Sequence, residues 1–285
     1  MRRATKWGLS GLALVVVAGV TSGVMLWNTT RPGEPLAFEP VVTEPATDAE
    51  LTTAASRRIF FGHQSVGKNV LDGVPGAYAA RGADAPVVVD LGDGSRLPDA
   101  DAPVIAHAYL GENRYPLLKL RDFDARLRGG LGDQVDVAAM KLCYLDITAD
   151  TDVEALFEEY RRTLADLAQA YPEVTFVHVT TPVRTEPMDL KWLAKELIGR
   201  PNDNAARERY NALMREEYGD DLLFDLAAVE ATAPGGALTM VPHDGRQHLA
   251  LALENASDSG HLNATGSLAA ATRFLGLLAR PEPVG

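Results

Sequence analysis

The chain has 285 residues, of which 46% are hydrophobic and 23% are charged, so it can form one sizeable hydrophobic core or two small ones. Its net charge of -12 argues against nucleic acid or an anionic membrane surface as the main partner, because both are bound through basic patches. The single cysteine, Cys143, excludes an intramolecular disulfide and a thiolate zinc cluster.

The N-terminal segment, residues 1–28, predicts a transmembrane helix. Three positive charges in the first six residues precede an uncharged stretch from Trp7 to Trp27, which as a helix spans about the 30 Å of a bilayer core. We favour an uncleaved signal anchor, which gives a single-pass protein of the cell membrane with its domain outside the cytoplasm. The alternative is a cleaved signal peptide, and the domain is then secreted.

Two further regions follow the N-terminal segment. Residues 29–50 contain four prolines and no apolar period, so they predict an extended linker. In residues 51–285, strand-like and helix-like segments alternate, which predicts one three-layer α/β/α domain with a mainly parallel central sheet. Strands are predicted at 58–61, 86–91, 104–108, 135–142, 174–180 and 222–225. Helices are predicted at 66–81, 117–127, 153–170, 204–218 and 265–279. Residues 185–201 are interpreted as a surface excursion, with a lid or rim over the site as one possibility.

The stretch from Ile59 to Asn69 places Ser65 at a strand-to-helix turn, since an apolar run ends at Gly62 and a helical pattern begins at Val66. Open α/β sheets bind their ligands at the carboxyl ends of parallel strands. Ser65 is therefore either the N-cap of the helix or a nucleophile, and the stretch alone does not decide between them.

The same stretch has a third interpretation as a phosphate-binding loop. Gly62, four residues and Gly67-Lys68 match the loop of nucleotide-binding folds. That loop needs a Ser or Thr hydroxyl after the lysine to hold magnesium, and this chain has Asn69 there. The interpretation is weaker for that reason.

A second candidate site precedes the last predicted helix. Asp258 and His261 are three residues apart on a loop, where the carboxylate can accept the Nδ1 proton and leave Nε2 as a general base. Taken alone, Asp258 more often caps a turn while the histidine lies on the surface. The combination with Ser65 favours chemistry, because all three side chains can meet over the carboxyl edge of the sheet.

With these residues the chain resembles the SGNH (GDSL-like) hydrolases, from about Arg57 to Leu278. In that family a nucleophilic serine follows the first strand and an Asp-x-x-His motif precedes the last helix. The resemblance implies that Ser65 is the nucleophile, His261 the base and Asp258 the residue that orients the base. This chain diverges at the serine motif, where it has Gly-His-Gln-Ser-Val instead of Gly-Asp-Ser-Leu.

The family's oxyanion hole uses the serine N–H, a glycine N–H and an asparagine side chain. The resemblance suggests Gly111 for the glycine. After the strand that ends at Leu142, the family would show Gly-x-Asn-Asp, but this chain shows Cys143-Tyr144-Leu145-Asp146. Asn113 is the candidate for the missing amide, and loss of such a donor costs about 3 to 4 kcal/mol in other enzymes.

Several histidines and Cys143 have less specific interpretations. His63 either hydrogen-bonds the substrate or packs beneath the turn. His178 is predicted to be a packed strand histidine and Cys143 a buried small hydrophobic residue. The other histidines lack the spacing of metal ligands, so neither a metal nor another cofactor is predicted. These are His107, His243 and His248.

Two functions from different classes remain open. The first is an extracytoplasmic serine esterase that hydrolyses small acyl esters, with O-acetyl groups on carbohydrate as one substrate and a lipid ester as another. The second is a non-catalytic carbohydrate-binding or assembly module on the same fold, since fold alone does not determine function. In both cases the partners are a small molecule or carbohydrate and the membrane, with no nucleic acid.

Overall fold

The computed structural model describes residues 34–37, 39–40, 44–219 and 222–280. Within this part of the chain, a six-stranded parallel sheet lies between two layers of helices, which confirms the three-layer α/β/α prediction. The predicted membrane segment 1–28 lies outside the described residues. Among the helices that are described, none is long and apolar enough to cross a bilayer.

The central sheet has the strand order β2-β3-β1-β4-β5-β6, and every neighbouring pair is parallel. A separate antiparallel hairpin, β7 and β8, was not predicted from the sequence. The strands are β1 Arg58–His63, β2 Val88–Asp90, β3 Val104–Tyr109, β4 Val137–Met140, β5 Thr175–Val179, β6 Leu223–Phe224, β7 Met240–His243 and β8 Arg246–Leu249. The α-helices are α1 Asp48–Ala55, α2 Ser65–Ala79, α3 Pro116–Arg126, α4 Val153–Ala170, α5 Leu190–Leu197, α6 Asp203–Tyr218, α7 Leu226–Ala231 and α8 Ala264–Leu278.

Strand β1 lies at the centre of the sheet and supplies both hydrophobic cores. Successive side chains of a strand point to opposite faces. Phe60 accordingly stacks on Phe123 of α3, with ring centroids 5.8 Å apart, while Phe61 packs against Phe274 of α8 at 4.8 Å. Full burial of each phenylalanine contributes about 1.5 to 3 kcal/mol. The strand is therefore held from both sides, and this fixes the turn that follows it.

Helix α4 shows why the apolar period predicts this fold well. Its inward positions recur at three- and four-residue spacing, and all are buried against the sheet. They are Leu156, Tyr160, Leu164 and Leu167. On the opposite face, Glu158 and Arg161 form an exposed ion pair. The predicted bounds of this helix, 153–170, are confirmed.

The start of the domain differs from the prediction of an extended linker through residue 50. Helix α1 begins at Asp48, where Thr47 and Glu50 cap each other's backbone N–H groups. Upstream of it, the backbone N–H of Ala46 donates to the carbonyl of Thr272 in α8. The C-terminal end of the linker region is therefore packed on the domain, and the capping box is the sequence signal that indicates it.

The helices that follow β1 and β3 lie on opposite faces of the sheet. Helix α2, which follows β1, packs on α8, whereas α3, which follows β3, packs on α4. Strands β1 and β3 are neighbours, with Gly62 beside Ala108. In this architecture a ligand site usually lies where the connections that follow two neighbouring strands go to opposite faces of the sheet.

Close approach of α2 and α8 depends on Gly73. A Cβ at this position would lie 2.2 Å from the carbonyl oxygen of Ser267, whereas at Gly76 the nearest atom would be Leu268 Cδ1 at 3.4 Å. We expect Gly73→Ala to lower the free energy of unfolding by about 1 to 3 kcal/mol because the helices must separate. Gly76→Ala, in the same helix, is expected to raise it by about 0.4 to 1 kcal/mol. Urea unfolding of the two variants measures both changes, and equal free energies of unfolding in the two variants would contradict the role of Gly73.

Candidate active site

Ser65 is the first residue of α2, and Gln64 occupies the cap position before it. The Gln64 backbone is extended, and its side-chain Nε2 donates to the carbonyl of Leu110 at 2.6 Å. Gln64, and not Ser65, therefore stands at the N-cap position, and its side chain makes no capping hydrogen bond to the helix. Ser65 Oγ is left for another partner, at a helix terminus whose first N–H groups have no acceptor within the helix.

That partner is His261. Its Nε2 lies 2.9 Å from Ser65 Oγ, and its Nδ1 lies 2.8 Å from Asp258 Oδ2 and 3.0 Å from Oδ1. Because the carboxylate only accepts, Nδ1 carries the proton and Nε2 is free to accept the hydroxyl proton of Ser65. Side chains 196 positions apart in the sequence thus form one chain of hydrogen bonds, which we call the Ser-His-Asp chain.

The loop that carries Asp258 and His261 is fixed by its own backbone. Asp258 Oδ1 accepts the N–H groups of Gly260 at 2.8 Å and His261 at 3.0 Å. These bonds, that from Gly260 first and then the contact with His261, hold the pKa of the exposed Asp258 carboxyl below its usual value. The carboxylate is therefore ionised at neutral pH, as a group that orients an imidazole must be.

Tyr144 packs against the other side of this loop. Its ring meets the His261 ring edge-on, with centroids 5.8 Å apart. A Cβ at Gly260 would lie 2.8 Å from the Tyr144 ring, so only glycine allows this approach. Sequence reasoning noted Tyr144 only as a departure from the family motif, and its contact with His261 was missed.

The backbone N–H of Gly111, the predicted oxyanion donor, does not point to a substrate. Its backbone N–H donates to Asp122 Oδ2 at 2.9 Å. Glycine is needed here because φ is +47° and because a Cβ would lie 3.0 Å from Lys119 N in the backbone of α3. The prediction is corrected on this point: the residue forms a tight turn, and its N–H is already used.

Asn113 has a defined orientation in the same loop. Its Oδ1 accepts from Lys119 Nζ at 2.9 Å, and an ammonium can only donate, so the amide Nδ2 faces the other way. Lys119 is fully buried and pairs with Asp146 Oδ2 at 2.6 Å. Asp146 also accepts the N–H of Cys143 at 2.6 Å and of Arg114 at 2.8 Å. The loops after β3 and β4 are thereby joined, while the role of Asn113 as an oxyanion donor stays a prediction.

His63 packs beneath the turn, which is the second of its two interpretations, and its burial corrects the other one, a contact with the substrate. It is fully buried, with Nδ1 2.7 Å from the carbonyl of Gln64 and Nε2 3.1 Å from His107 Nδ1. A Cβ at Gly67 would lie 2.3 Å from His63 Cβ, so the ring lies directly under the first turn of α2. Both ring nitrogens are used to support the turn before Ser65.

The burial of His63 leads to a testable pH dependence. Desolvation lowers its pKa to about 3, so as the pH falls the unfolded chain binds the proton first. Burial of the neutral His63 ring therefore adds to the free energy of unfolding above pH 6.5. This contribution is lost as the pH falls toward 3, at up to about 1.4 kcal/mol per pH unit. We expect His63→Gln to reduce this slope of unfolding free energy against pH. Urea unfolding between pH 7 and pH 5 measures it, and equal slopes in both proteins would contradict the assignment.

The phosphate-loop interpretation is not supported by the geometry. A Cβ at Gly62 would lie 2.4 Å from Leu110 Cδ1, so this glycine, like Gly67, is required by packing. Lys68 forms an ion pair with Asp72, one turn further along α2. The two glycines and the lysine are thus explained without a phosphate.

The packing predictions for His178 and Cys143 are confirmed. The His178 ring stacks on Tyr218 with centroids 3.6 Å apart, and its Nδ1 lies 2.9 Å from the Tyr160 hydroxyl. Burial lowers the pKa of His178 to about 3. Cys143 is buried as a free thiol in the core on the α2 side of the sheet.

The chain has low similarity to several solved structures, among them the two that follow. One, from Streptococcus pneumonia, is provisionally described as a platelet activating factor. It has 14% sequence identity to this chain and a TM-score of 0.45, and the aligned part covers 93% of this chain and 99% of that protein's chain. The other, from Desulfitobacterium hafniense, is provisionally described as a lipolytic protein of the G-D-S-L family. It has 9% sequence identity to this chain and a TM-score of 0.36, and the aligned part covers 67% of this chain and 98% of that protein's chain. No protein-family model and no curated protein matches the chain.

Proposed function

We propose that this chain is a serine hydrolase that cleaves small acyl esters. The observation that carries the proposal is the Ser-His-Asp chain, with Ser65 Oγ 2.9 Å from His261 Nε2 and His261 Nδ1 2.8 Å from Asp258. This combination of nucleophile, base and orienting carboxylate is the arrangement that acyl transfer requires.

In the first half of the reaction, Ser65 Oγ attacks the ester carbonyl carbon while its proton moves to His261 Nε2. The bond to the leaving oxygen then breaks, and His261 protonates the departing alcohol. Asp258 stabilises the imidazolium that forms between these two steps. The product is an acyl group bound to Ser65 and a free alcohol.

Water completes the second half. His261 Nε2 takes a proton from a water molecule while the water oxygen attacks the acyl carbon. The bond between that carbon and Ser65 Oγ then breaks, and His261 returns the proton to Ser65 Oγ. For both tetrahedral intermediates, the N–H of Ser65 and the side-chain amide of Asn113 are the oxyanion donors of this proposal. The direction of the Asn113 amide, set by Lys119, supports its inclusion.

Substrate and cellular location remain part of the proposal and rest on the sequence. The substrate is an O-acyl group, with O-acetyl groups on carbohydrate as the first candidate. The domain works outside the cytoplasm, anchored in the membrane by residues 1–28. Protease treatment of intact cells should remove the domain, and full protection would contradict this location.

The competing function is a binding module without catalysis, which two observations favour. The Gly111 N–H is bound to Asp122, and Leu145 stands where the pattern of the SGNH hydrolases has its asparagine. An oxyanion hole that lacks these donors stabilises the transition state less, by about 3 to 4 kcal/mol for one donor.

Turnover of p-nitrophenyl acetate by the full chain separates the two functions. A hydrolase is expected to release p-nitrophenol at a rate that saturates with substrate and greatly exceeds that of buffer. A rate equal to buffer, with acetylated carbohydrates also left intact, would contradict the hydrolase and support the binding module.

A further inference from the structure

Helix α5 and the residues on either side of it expose an apolar surface that takes no part in the proposed hydrolysis. Leu190, which is 86% exposed, and Ile198, which is 68% exposed, are the two most exposed large apolar side chains of the described residues. Met188 and Leu197, in the same segment, are exposed as well. We call these four residues the α5 patch. Exposed apolar side chains that cluster in this way mark a contact surface.

The patch is built on one face of the helix. Leu190, Ala194 and Leu197 recur at spacings of four and three residues, so they lie on the same face, and all three are exposed. The opposite face carries Trp192, which is buried against Val241 of β7. The helix is therefore fixed to the domain by one face while it turns a second apolar face to solvent.

The charges along α5 are compatible with contact to lipid. The only acidic residue in the helix, Glu196, lies on the inner side, with Oε1 2.8 Å from His243 Nδ1 of the hairpin. Lys191 and Lys195 lie beside the apolar face. Lysines in this position bury their aliphatic stems against apolar surface and place their ammonium groups at the level of lipid headgroups.

The N-terminal part of the chain reaches the domain beside this patch. The Glu34 N–H donates to the carbonyl of Gly245 at 2.7 Å, and the Glu34 carbonyl accepts from the N–H of Gln247 at 2.8 Å. Glu34 therefore binds at the turn of the β7–β8 hairpin. His243, at the same turn, is the residue that contacts Glu196 of α5. The point where the chain joins the domain is thus a few residues from the C-terminal end of α5.

The predicted membrane segment, residues 1–28, ends close to this point. Residues 29–33 separate it from Glu34, and an extended chain covers at most about 3.6 Å per residue, so Glu34 can lie no more than about 20 Å from the bilayer. The hairpin turn that holds Glu34 and the neighbouring end of α5 are limited to a similar distance. An anchor at residues 1–28 therefore holds the α5 patch beside the bilayer.

We propose that the α5 patch binds the outer surface of the membrane in which the chain is anchored. The inference goes beyond ester hydrolysis and rests on the membrane location of the proposed function. The side chains of the patch enter the boundary between headgroups and acyl chains, as in other interfacial helices, while Lys191 and Lys195 stay among the headgroups. This contact needs no anionic lipid, which agrees with the net charge of -12. The membrane then fixes the orientation of the domain, with α5 and the hairpin toward the bilayer.

Contact with the bilayer is measured on the full chain in phosphatidylcholine vesicles that are isolated by flotation. A nitrobenzoxadiazole dye is attached to Leu190→Cys or, as the matched control, to Val87→Cys, and the native Cys143 is buried. Val87 is 65% exposed and precedes β2, at the edge of the sheet opposite β6. Lipids with a nitroxide on the acyl chain are expected to quench the dye at position 190 by about twofold or more, and the dye at position 87 by less than about a tenth. Equal quenching of the two dyes would overturn the inference.

Added charges test whether the patch itself holds the dye in the bilayer. Leu197→Glu/Ile198→Glu, in the chain labelled at position 190, is compared with Val87→Glu/Val88→Glu, which places the same charge on another exposed apolar pair. Quenching at position 190 should fall at least about twofold in the first variant and stay unchanged in the second, because carboxylates oppose entry into the bilayer. Both variants should float with the vesicles, since the anchor is unchanged. Equal quenching in the two variants would contradict the role of the patch.

The outcomes separate this inference from the rest of the proposed function. Flotation without quenching at position 190 would overturn the inference and leave the membrane anchor standing. A wild-type chain that stays in solution would contradict both. If quenching at position 190 is observed while p-nitrophenyl acetate and acetylated carbohydrates are left intact, the hydrolase fails and the membrane contact stands.

Discussion

Replacing Ser65 with alanine is expected to lower kcat for ester hydrolysis by roughly 10³- to 10⁶-fold, the range seen when the nucleophile of such a group is removed. The loss follows from the proposed mechanism, in which Ser65 Oγ, 2.9 Å from His261 Nε2, is the atom that bonds to the ester carbon. His261→Ala should cause a similar loss. The double variant should be no slower than either single variant, because residues that act as a unit give non-additive effects. Release of p-nitrophenol under saturating substrate measures all three.

The fold is expected to survive this change. Gln64 rather than Ser65 is the cap of α2, so the hydroxyl has no structural role that alanine would remove. Ser56→Ala is the matched control, since Ser56 Oγ donates to Thr53 O just before β1, at the other end of the strand. The control should retain full activity, and both serine variants should keep the wild-type circular dichroism. Equal activity of Ser65→Ala and Ser56→Ala would contradict the role of Ser65.

Replacing Asp146 with alanine is expected to lower the free energy of unfolding by about 3 to 5 kcal/mol. Lys119 is fully buried, and this change leaves its ammonium with the amide oxygen of Asn113 as its acceptor. The N–H groups of Cys143 and Arg114 lose their acceptor as well. Urea unfolding followed by circular dichroism measures the loss.

The double variant Lys119→Met/Asp146→Ala separates charge from packing. Removing the ammonium eliminates the unpaired buried charge, so much of the lost stability should return. Hydrolysis should be low in the double variant, because without Lys119 the Asn113 side chain no longer has the contact that directs its amide. A single variant that loses less than about 1 kcal/mol, or a double variant that is no more stable than the single one, would contradict this account.

The parts of the fold that the sequence predicts well are those governed by local periodicity. Helix α4 was predicted with its observed bounds because its apolar residues recur at helical spacing along its whole length. Asp258 and His261 were found because three residues are enough for their side chains to meet. Their contact with Ser65 was expected from the general layout of parallel sheets and from the resemblance to the SGNH hydrolases, and the strand order brings the residues together.

The parts that were missed depend on which side chain packs under which backbone. For His63 the sequence left two interpretations open, and burial follows because the ring fits against Gly67 and pairs with His107, 44 residues away. The Gly111 N–H is lost to Asp122, a residue on a helix that had no apparent link to the site. Helix α5 lies within 185–201, where Asp189 caps it and Trp192 packs it against the β7–β8 hairpin. These contacts are long-range and leave no period in the sequence.

Covalent labelling with a fluorophosphonate is the most direct test of the central claim, that His261 activates Ser65. The reagent forms a bond to a serine oxygen only where a base removes its proton and a site accepts the oxyanion. Mass spectrometry of the labelled full chain is expected to place the adduct on Ser65 in the wild type and in Ser56→Ala, and to find it lost in His261→Ala. An unlabelled Ser65 in the folded wild type, or equal labelling without His261, would contradict the claim.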